Sequence, residues 1–303
     1  MPAELVLLAD ALVRATPLMI AGLAVALAFR GGVFNIGAEG QLLVGAIAAT
    51  AVTLAVGRSL GAFAIVVAMP AAGIAGAFWA GIAAELRRRF HVLEIISTIM
   101  LNFVAIHLVS YLVRGPLQEP TRIYPQTESL PASTQLPILL PGTRLHAGFA
   151  LAILLAMALS WTLRKTAIGF RIRATGASPL AAKVTGRIDI EKGSFNVFLA
   201  SGALAGIAGG VEVSGVTFAL YENLSPGYGY TAIAVALIAG LNPLGIIASG
   251  VFFGVLETGA SALQREFAIP SSLASVVEAA LIIGALTFAA LRGRRVAGSL
   301  SVP

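Results

Sequence analysis

Long apolar runs with almost no charge alternate along this chain with short stretches rich in Gly, Pro, Arg and Lys. A helix that crosses a bilayer needs about 17–25 mostly apolar residues, so we interpret these runs as membrane spans. They cover residues 12–29, 42–56, 61–84, 92–113, 147–163, 195–218, 230–263 and 273–291. The run 230–263 is too long for one span and is interrupted by Asn242-Pro243, which predicts two crossings, the first of them short. The pattern predicts an all-α bundle of about nine spans in a single transmembrane domain, residues 1–303.

The composition excludes a soluble protein. Of the 303 residues, 58% are apolar without counting glycine and only 11% are charged, whereas average soluble proteins have about 25% charged residues. A soluble domain of this size would leave much of that apolar surface in water. The 20 Lys and Arg residues outnumber the 14 Asp and Glu residues, but they lie in short runs between apolar segments. That arrangement is typical of membrane topology and not of nucleic-acid binding.

The basic loops predict the orientation of the spans. Arg87-Arg88-Arg89, the loop 164–194 and the arginines after residue 291 are expected in the cytoplasm, because cytoplasmic loops carry an excess of Lys and Arg. The Pro-rich loop 114–146 and the segment 221–229, which has no Lys or Arg, are expected outside. Alternation of the spans then places the N-terminus outside.

The sequence has no pattern typical of an enzyme. Cys is absent, which excludes thiol nucleophiles and thiolate metal sites, and the three His residues lie far apart. Neither a Ser-His-Asp pattern, a P-loop nor a Rossmann glycine pattern occurs. We therefore predict a protein that is not an enzyme.

Small and polar residues inside the spans predict how the helices associate. Gly202, Gly206 and Gly210 recur every four positions, a spacing that lets helices approach closely in lipid. Polar residues in a span are expensive to bury in hydrocarbon. They either line a polar translocation path or form hydrogen bonds between helices, and both interpretations stay open. The residues concerned are Glu94, Thr98 and Asn102, which share one helix face, and the single acids Glu212, Glu257 and Glu278.

The connection between the first two spans, residues 30–41, has the sequence Arg-Gly-Gly-Val-Phe-Asn-Ile-Gly-Ala-Glu-Gly-Gln. Glycine permits irregular backbone, which at membrane depth is tolerated only where it lines a cavity or is buried in protein. Glu39 suits the beginning of the next helix, where its charge complements the helix dipole. The alternative is a tight interhelical loop with a helix cap.

The cytoplasmic segment 169–186 contains a predicted two-turn helix. Ser178 is a favourable N-cap, Pro179 fits the first helical position, and Gly186 is a fitting stop. A short helix with small side chains between basic flanks is suited to dock in a groove of a partner protein. The alternative is a solvated connector.

Four blocks resemble a known family, the permease subunits of bacterial ABC importers for nucleosides and simple sugars, in the ribose/branched-chain amino acid type permease superfamily. The blocks are residues 31–41, 94–102, 173–186 and 226–237, and the resemblance extends from about residue 16 to 291. It implies a permease in the bacterial plasma (inner) membrane that carries nucleosides or related simple sugars by alternating access, driven by ATP. Relatives usually carry one more hydrophobic segment upstream, so we expect this chain to be about one span short of them.

The resemblance also implies partners. These are a cytoplasmic ABC ATPase that holds ATP and Mg, a second related permease that forms a heterodimer with this one, and an extracytoplasmic substrate-binding lipoprotein. The chain itself is expected to bind no cofactor, metal or nucleic acid.

The resemblance further implies that residues 178–186 form a coupling helix, which transmits motion of the ATPase to the spans. The residues assigned to coupling are Arg173, Gly176, Ser178, Pro179, Ala181, Ala182 and Gly186. For the translocation path we select the polar side chains at membrane depth together with one aromatic neighbour. They are Phe34, Asn35, Glu39, Gln41, Glu94, Thr98 and Asn102.

The alternative hypothesis is that the protein is a secondary transporter or channel driven by ion gradients. It would work without an ATPase and would use paired intramembrane acids as ion sites. Co-purification of an ATPase subunit distinguishes the two.

Overall fold

The computed structural model describes residues 3–184 and 189–267, together with six single positions between 276 and 287. The predicted last span lies largely outside the described residues, as do Glu278, the arginines after residue 291 and Gly186. Within the described residues the chain forms ten α-helices and no β-strand, which confirms the prediction of an all-α bundle. The helices are α1 (Ala3–Arg30), α2 (Ala38–Leu60), α3 (Ala64–Phe90), α4 (Glu94–Val113), α5 (Gly148–Lys165), α6 (Ala167–Ala177), α7 (Pro179–Val184), α8 (Ile190–Glu212), α9 (Tyr228–Ile238) and α10 (Pro243–Phe267).

Six helical stretches of the described chain are long and apolar enough to cross a membrane. They are Glu4–Arg30, Ala38–Phe90, Glu94–Val113, Gly148–Lys165, Ile190–Thr217 and Pro243–Glu266. The stretch Ala38–Phe90 consists of two helices, because Gly61 has a φ of +53° and the chain turns back there. Helices α2 and α3 pack against each other along their lengths.

Helix α1 forms the centre of the bundle. Every residue from position 15 to 28 is buried, and α1 packs against α5, α8, α9 and α10. No face of this apolar stretch requires water, and α5, α8, α9 and α10 surround it.

Glycines bring the helix backbones into direct contact. A Cβ atom added at Gly206 of α8 would lie 2.2 Å from the carbonyl oxygen of Ala72 in α3, and one added at Gly45 would lie 2.3 Å from the carbonyl oxygen of Gly206. Gly254 of α10 approaches Ala11 of α1 as closely. Such contacts supply the packing that lipid does not drive, as the Gly202–Gly206 spacing predicts.

The two ends of the bundle collect the loops that the charge pattern assigns to opposite sides. At one end the backbone of Leu130 donates to Phe218, and that of Thr127 to Leu220, so that the predicted external segments pack together. At the other end Arg30 donates to the carbonyl oxygen of Leu241, and Arg164 to the side chain of Asn242. We call these the external and the basic end.

Helix α9 crosses only about half of a membrane. Its 11 residues rise about 16 Å, compared with a hydrocarbon thickness of about 30 Å. The chain turns at Gly240 and Leu241, both with positive φ, and α10 begins at Pro243, so the break falls where the Asn242-Pro243 pair predicts. Leu220 and Leu224 before α9 are buried, which shows that this segment enters the bundle from the external end.

Candidate functional site

The segment 31–37, which joins α1 to α2, enters the bundle from the basic end. It follows Arg30, whose guanidinium is bonded to the turn after α9. Farther along, Glu39 accepts a hydrogen bond from the backbone of Gly229, nine residues before the end of α9. Nine residues of helix correspond to about 14 Å, so the start of α2 lies well inside the membrane. The interpretation of 30–41 as irregular backbone at membrane depth agrees with this position.

Glu39 lies between the N-termini of two helices. It belongs to the first turn of α2, and its Oε2 accepts from the backbone N–H of Gly229 in the first turn of α9 at 2.7 Å. The hydroxyl of Ser225 also hydrogen-bonds this carboxylate, while Ser225 Oγ accepts from the backbone of Tyr228 at 3.0 Å and so caps α9. Both helix dipoles direct their positive ends here, which favours a carboxylate.

The polar stripe of α4 holds the segment 31–37 from the side. Asn102 Oδ1 accepts from the backbone of Gly40 at 2.8 Å, and its Nδ2 donates to the carbonyl oxygen of Ile36 at 3.0 Å. Glu94 Oε1 accepts from the backbone of Phe34 at 2.7 Å, and its other oxygen pairs with Arg87 of α3. The side chain of Glu94 therefore joins the segment to two helices.

Asn35 of the segment and Gln41 in the first turn of α2 complete the set. Their side-chain amides exchange two hydrogen bonds of 2.9 Å. Asn35 also donates to Ser201 Oγ at 2.8 Å, and the Ser201 hydroxyl donates to the carbonyl oxygen of Ala24. Ser201 is a member that sequence reasoning missed, because no local pattern distinguishes it from other small residues of its span.

The structure thus brings most of the selected residues of the predicted path together at the start of α2. We call the buried members, Asn35, Glu39, Gln41, Glu94, Thr98, Asn102 and Ser201, the polar cluster. Each is at most 9% exposed, and their partners are protein atoms. Thr98 bonds only within its own helix, to the carbonyl oxygens of Glu94 and Ile95. Phe34 differs from them, since it is 52% exposed.

The segment assigned to coupling forms two helices at the basic end. Thr166 caps α6 by accepting from the backbone of Gly169, and Ser178 caps α7 by accepting from that of Ala181. Sequence analysis predicted α7 but not α6, because α6 has few apolar residues in a helical period. Of the assigned residues, Arg173, Ser178, Pro179 and Ala181 are exposed and Ala182 is buried.

Leu180 is an exposed apolar residue of α7 that the sequence analysis did not select. It is 76% exposed, and Ala181 beside it is also exposed. The sequence alone does not reveal this exposure, which becomes visible only in the folded chain. The outer face of α7 is therefore apolar at this point.

The end of α6 touches the turn after α1 through backbone atoms. A Cβ atom added at Gly176 would lie 2.0 Å from the carbonyl oxygen of Arg30, and one added at Gly32 would lie 3.2 Å from the Cα of Gly176. Gly32 has a φ of +73°, which favours glycine. No side chain fits between α6 and the start of segment 31–37.

At the external end, Glu222 joins the segment 219–227 before α9 to the end of α4. Its carboxylate forms two hydrogen bonds with Arg114, at 2.6 and 2.7 Å, and a third with Ser110. The bonds from Arg114 and then Ser110 lower the pKa of Glu222 to about 2. Glu222 therefore stays ionised at neutral pH.

His146 lies beneath the external loops. It is 1% exposed, and its ring packs against Gly148 and against Gly215 in the π-helix Val213–Thr217. Its Nδ1 accepts from the backbone of Gly148 at 3.2 Å. Burial, with a smaller effect of Arg144, lowers its pKa to about 4.

Two of the single acids lie in the interior. Glu257 of α10 pairs with Arg14 of α1 at 3.9 Å, and Glu212 at the end of α8 is 2% exposed. Within the described residues, no group of three or more His, Asp or Glu side chains is arranged to hold a metal ion.

The sequence resembles proteins of known class over almost its whole length. Residues 7–286 match the family described as branched-chain amino acid transport system / permease component. The glucose ABC transporter permease protein TsgB13 of Haloferax volcanii is 40% identical over 92% of this chain and 76% of its own. The guanosine ABC transporter permease proteins NupP and NupQ of Bacillus subtilis are 34% and 30% identical, over 95% and 82% of this chain and 83% and 79% of their own. No solved structure has significant similarity to the chain.

Asn102 and Thr98 provide a matched test of the polar cluster. Asn102→Leu conserves volume but leaves the N–H of Gly40 and the carbonyl of Ile36 without this partner. Each buried polar group left unpaired costs about 1–3 kcal/mol, so we expect the free energy of unfolding to fall by about 2–5 kcal/mol. Thr98→Val removes a bond within one helix and should cost about 1 kcal/mol or less. The measurement is denaturation in mixed detergent micelles followed by circular dichroism. Equal losses of unfolding free energy in the two variants would contradict the role of Asn102 in holding the start of α2.

Acid should destabilise the protein through His146. Because its folded-state pKa of about 4 lies below the unfolded value of about 6.5, the unfolded chain binds the proton more readily. The contribution of neutral His146 to the free energy of unfolding is fully present above about pH 6.5 and is lost as the pH falls to about 4. The free energy of unfolding changes by about 3 kcal/mol over this range. His146→Asn keeps an acceptor for Gly148 and cannot titrate, so it should flatten the profile of unfolding midpoint against pH. His91→Asn, at an exposed position, is the control, and an unchanged slope in His146→Asn would refute the assignment.

Proposed function

The chain belongs to the family of the branched-chain amino acid transport system / permease component, and from that membership we propose that it carries nucleosides or related simple sugars through the membrane by alternating access. A permease of this family is the membrane component of an ABC transporter, and ATP is hydrolysed by a separate subunit. The chain is accordingly a multi-pass protein of the plasma (inner) membrane and not an enzyme. The observation that supports the substrate class is the similarity to permeases named for guanosine and for glucose, each over more than nine tenths of this chain.

We propose a heteromeric transporter. Two guanosine permease proteins of one organism, NupP and NupQ, are both similar to this chain, which favours pairing with a second, related permease. A cytoplasmic ABC ATPase holds ATP and Mg, and an extracytoplasmic binding lipoprotein delivers the substrate. This chain binds no cofactor or metal of its own in the proposed mechanism.

The proposed membrane topology has about nine spans. In the described part of the chain, α1 to α5, α8, the half-helix α9 and α10 run alternately between the two ends, and the run 273–291 provides the last span. The basic end, with Arg87-Arg88-Arg89 and the loop 164–194, faces the cytoplasm because Lys and Arg are retained on that side. The loop 114–146 faces outward.

Helix α7 is the proposed coupling helix. Its exposed residues Leu180 and Ala181 offer a small apolar face to a groove of the ATPase, while Ala182 packs inward. Basic residues on both sides of α7, among them Lys165, Arg173 and Lys192, add charge that suits an acidic rim of the partner. Replacement of Ala181 by a larger residue is expected to interfere with docking, because the larger side chain would collide with the wall of the groove in the ATPase.

Motion of α7 reaches the centre of the bundle through contacts of backbone atoms. Helix α6 ends directly before α7, and Gly176 touches Arg30 and Gly32 without an intervening side chain. A displacement of α6 therefore displaces the segment 31–37. The polar cluster passes this displacement to α4 through Asn102 and to α9 through Glu39.

The proposed translocation path runs beside the segment 31–37 and α4. Phe34 faces out of this subunit, as do Met100 and Phe103 of α4, so these side chains border the space shared with the second permease. The buried residues of the polar cluster lie behind this surface. They set the shape of the path by positioning its backbone, and an opening of the cluster during transport gives the substrate access to their polar atoms.

Leu180→Arg tests the coupling role. The charged side chain should abolish ATP-driven uptake of radiolabelled guanosine or glucose by vesicles that contain the whole transporter, because the apolar contact with the ATPase is lost. The amount of permease in the membrane should not change, since Leu180 is exposed. Leu180→Met preserves the apolar face and serves as the control.

The outcomes separate the hypotheses. Unchanged uptake by Leu180→Arg contradicts the assignment of α7. Failure of any ATPase to co-purify with the wild-type permease, together with uptake that persists without ATP, contradicts the ABC mechanism and favours an ion-driven transporter. Uptake of neither guanosine nor glucose contradicts the substrate class alone.

A further inference from the structure

A groove opens between α5 and α8 at the cytoplasmic half of the bundle. Both helices pack against α1 and α6, and the space between them has a volume of about 910 Å³. Leu27 of α1 and Gly31, the first residue after α1, form its floor, and α6 closes its cytoplasmic end. We call it the α5–α8 groove. Its size lies in the range of sites that enclose small organic molecules, about 300–1,000 Å³.

The walls of the α5–α8 groove are apolar. Leu155 and Leu159 of α5 face Val197 and Leu204 of α8 across it, and Ala203 of α8 leaves room between them. An apolar concave wall within a membrane is filled by hydrocarbon, because it offers no partner to water. The occupant must therefore have an apolar part.

The cytoplasmic end of the groove is polar and basic. Arg171 of α6 and Lys192 of α8 lie there, beside the side-chain amide of Asn196. Asp189 is the one acid among the described lining residues, and it is already engaged, since it accepts from the backbone of Lys192 at 3.0 Å and pairs with its Nζ at 3.4 Å. No ion pair of Arg171 occurs within the described chain.

We propose that the α5–α8 groove binds one anionic phospholipid of the inner leaflet, with an acyl chain against Leu155, Leu159 and Leu204 and the phosphate at Arg171 and Lys192. Basic pockets between transmembrane helices on the cytoplasmic side are suited to acidic lipid head groups. A helix of a partner protein, about 10 Å wide, would leave Arg171 against an apolar surface. A free phosphate ion would leave the walls unfilled. The charge at one end and the hydrocarbon walls above it are complementary to a phospholipid alone.

The proposal is tested by identifying the lipid that stays bound to the full-length permease. The permease is purified together with any subunits that accompany it. The protein is equilibrated in micelles with equal amounts of dioleoyl-phosphatidylglycerol and dioleoyl-phosphatidylcholine, and bound lipid is counted by native mass spectrometry. Wild-type protein should retain one phosphatidylglycerol in preference to phosphatidylcholine. Each Lys or Arg near a membrane surface contributes a factor of about five to anionic lipid binding. Because Asp189 already offsets the charge of Lys192, Arg171→Gln with Lys192→Gln should lower the preference by about fivefold or more.

Two further variants separate charge from shape. Ala203→Phe places a bulky ring in the groove without a change of charge and should weaken retention of the lipid. Lys165→Gln with Lys183→Gln removes two cytoplasmic charges outside the groove and should leave the preference as in wild type. Equal retention of both lipids by the wild type, or an unchanged preference in the Arg171/Lys192 double variant, overturns the proposal. If the Lys165/Lys183 control also loses the preference, the lipid is attracted by the general surface charge and not by the groove. That result would overturn the proposal too.

Discussion

The fold depends on one electrostatic arrangement: the N-termini of two helices meet inside the membrane, and the carboxylate of Glu39 lies between them. Helix α2 begins there after a segment that enters from the basic end, and the half-helix α9 begins there after a segment from the external end. The free N–H groups at a helix start are costly in hydrocarbon unless an acceptor is present. Glu39 and Ser225 provide acceptors for α9, and Asn102 provides one for Gly40 of α2. Irregular backbone at this depth is stable only with these side chains in place.

The same arrangement connects the basic end of the bundle with the interior. Gly176 and Gly32 allow α6 to touch the segment 31–37, and the polar cluster joins that segment to α4, α8 and α9. A rigid chain of contacts thus extends from the helix proposed to meet the ATPase to the start of α9. Transport requires such a connection, because the energy is supplied on one side of the membrane and used within it. The groove between α5 and α8 flanks this connection, so a bound lipid would stiffen the helices on which α6 rests.

Local patterns in the sequence predict the spans, the break at Asn242-Pro243 and the short helix after Ser178, since each depends on neighbouring residues. The i, i+4, i+8 spacing of α4 and the glycine-rich composition of 30–41 predict polar side chains and irregular backbone inside the bundle, and Thr98 and Asn102 are indeed buried there. The contacts of these residues cannot be predicted from local patterns. The bond from Gly229 to Glu39 joins residues 190 positions apart, and no periodicity reveals such a partner. The exposure of Leu180 and the burial of Ala182 likewise follow from how α7 rests on the bundle, which a single helical pattern does not determine.

Hydrogen exchange at Gly229 tests the central claim most directly. Gly229 is in the first turn of α9, where a backbone N–H has no acceptor within its own helix, so its protection reports the carboxylate of Glu39. In protein labelled with ¹⁵N-glycine, the amide of Gly229 should exchange as slowly as that of Gly206 in the middle of α8. Glu39→Ala should raise its exchange rate toward that of Gly142, which lies in an exposed external turn. Rapid exchange of Gly229 in the wild type, or protection that survives Glu39→Ala, would contradict the account.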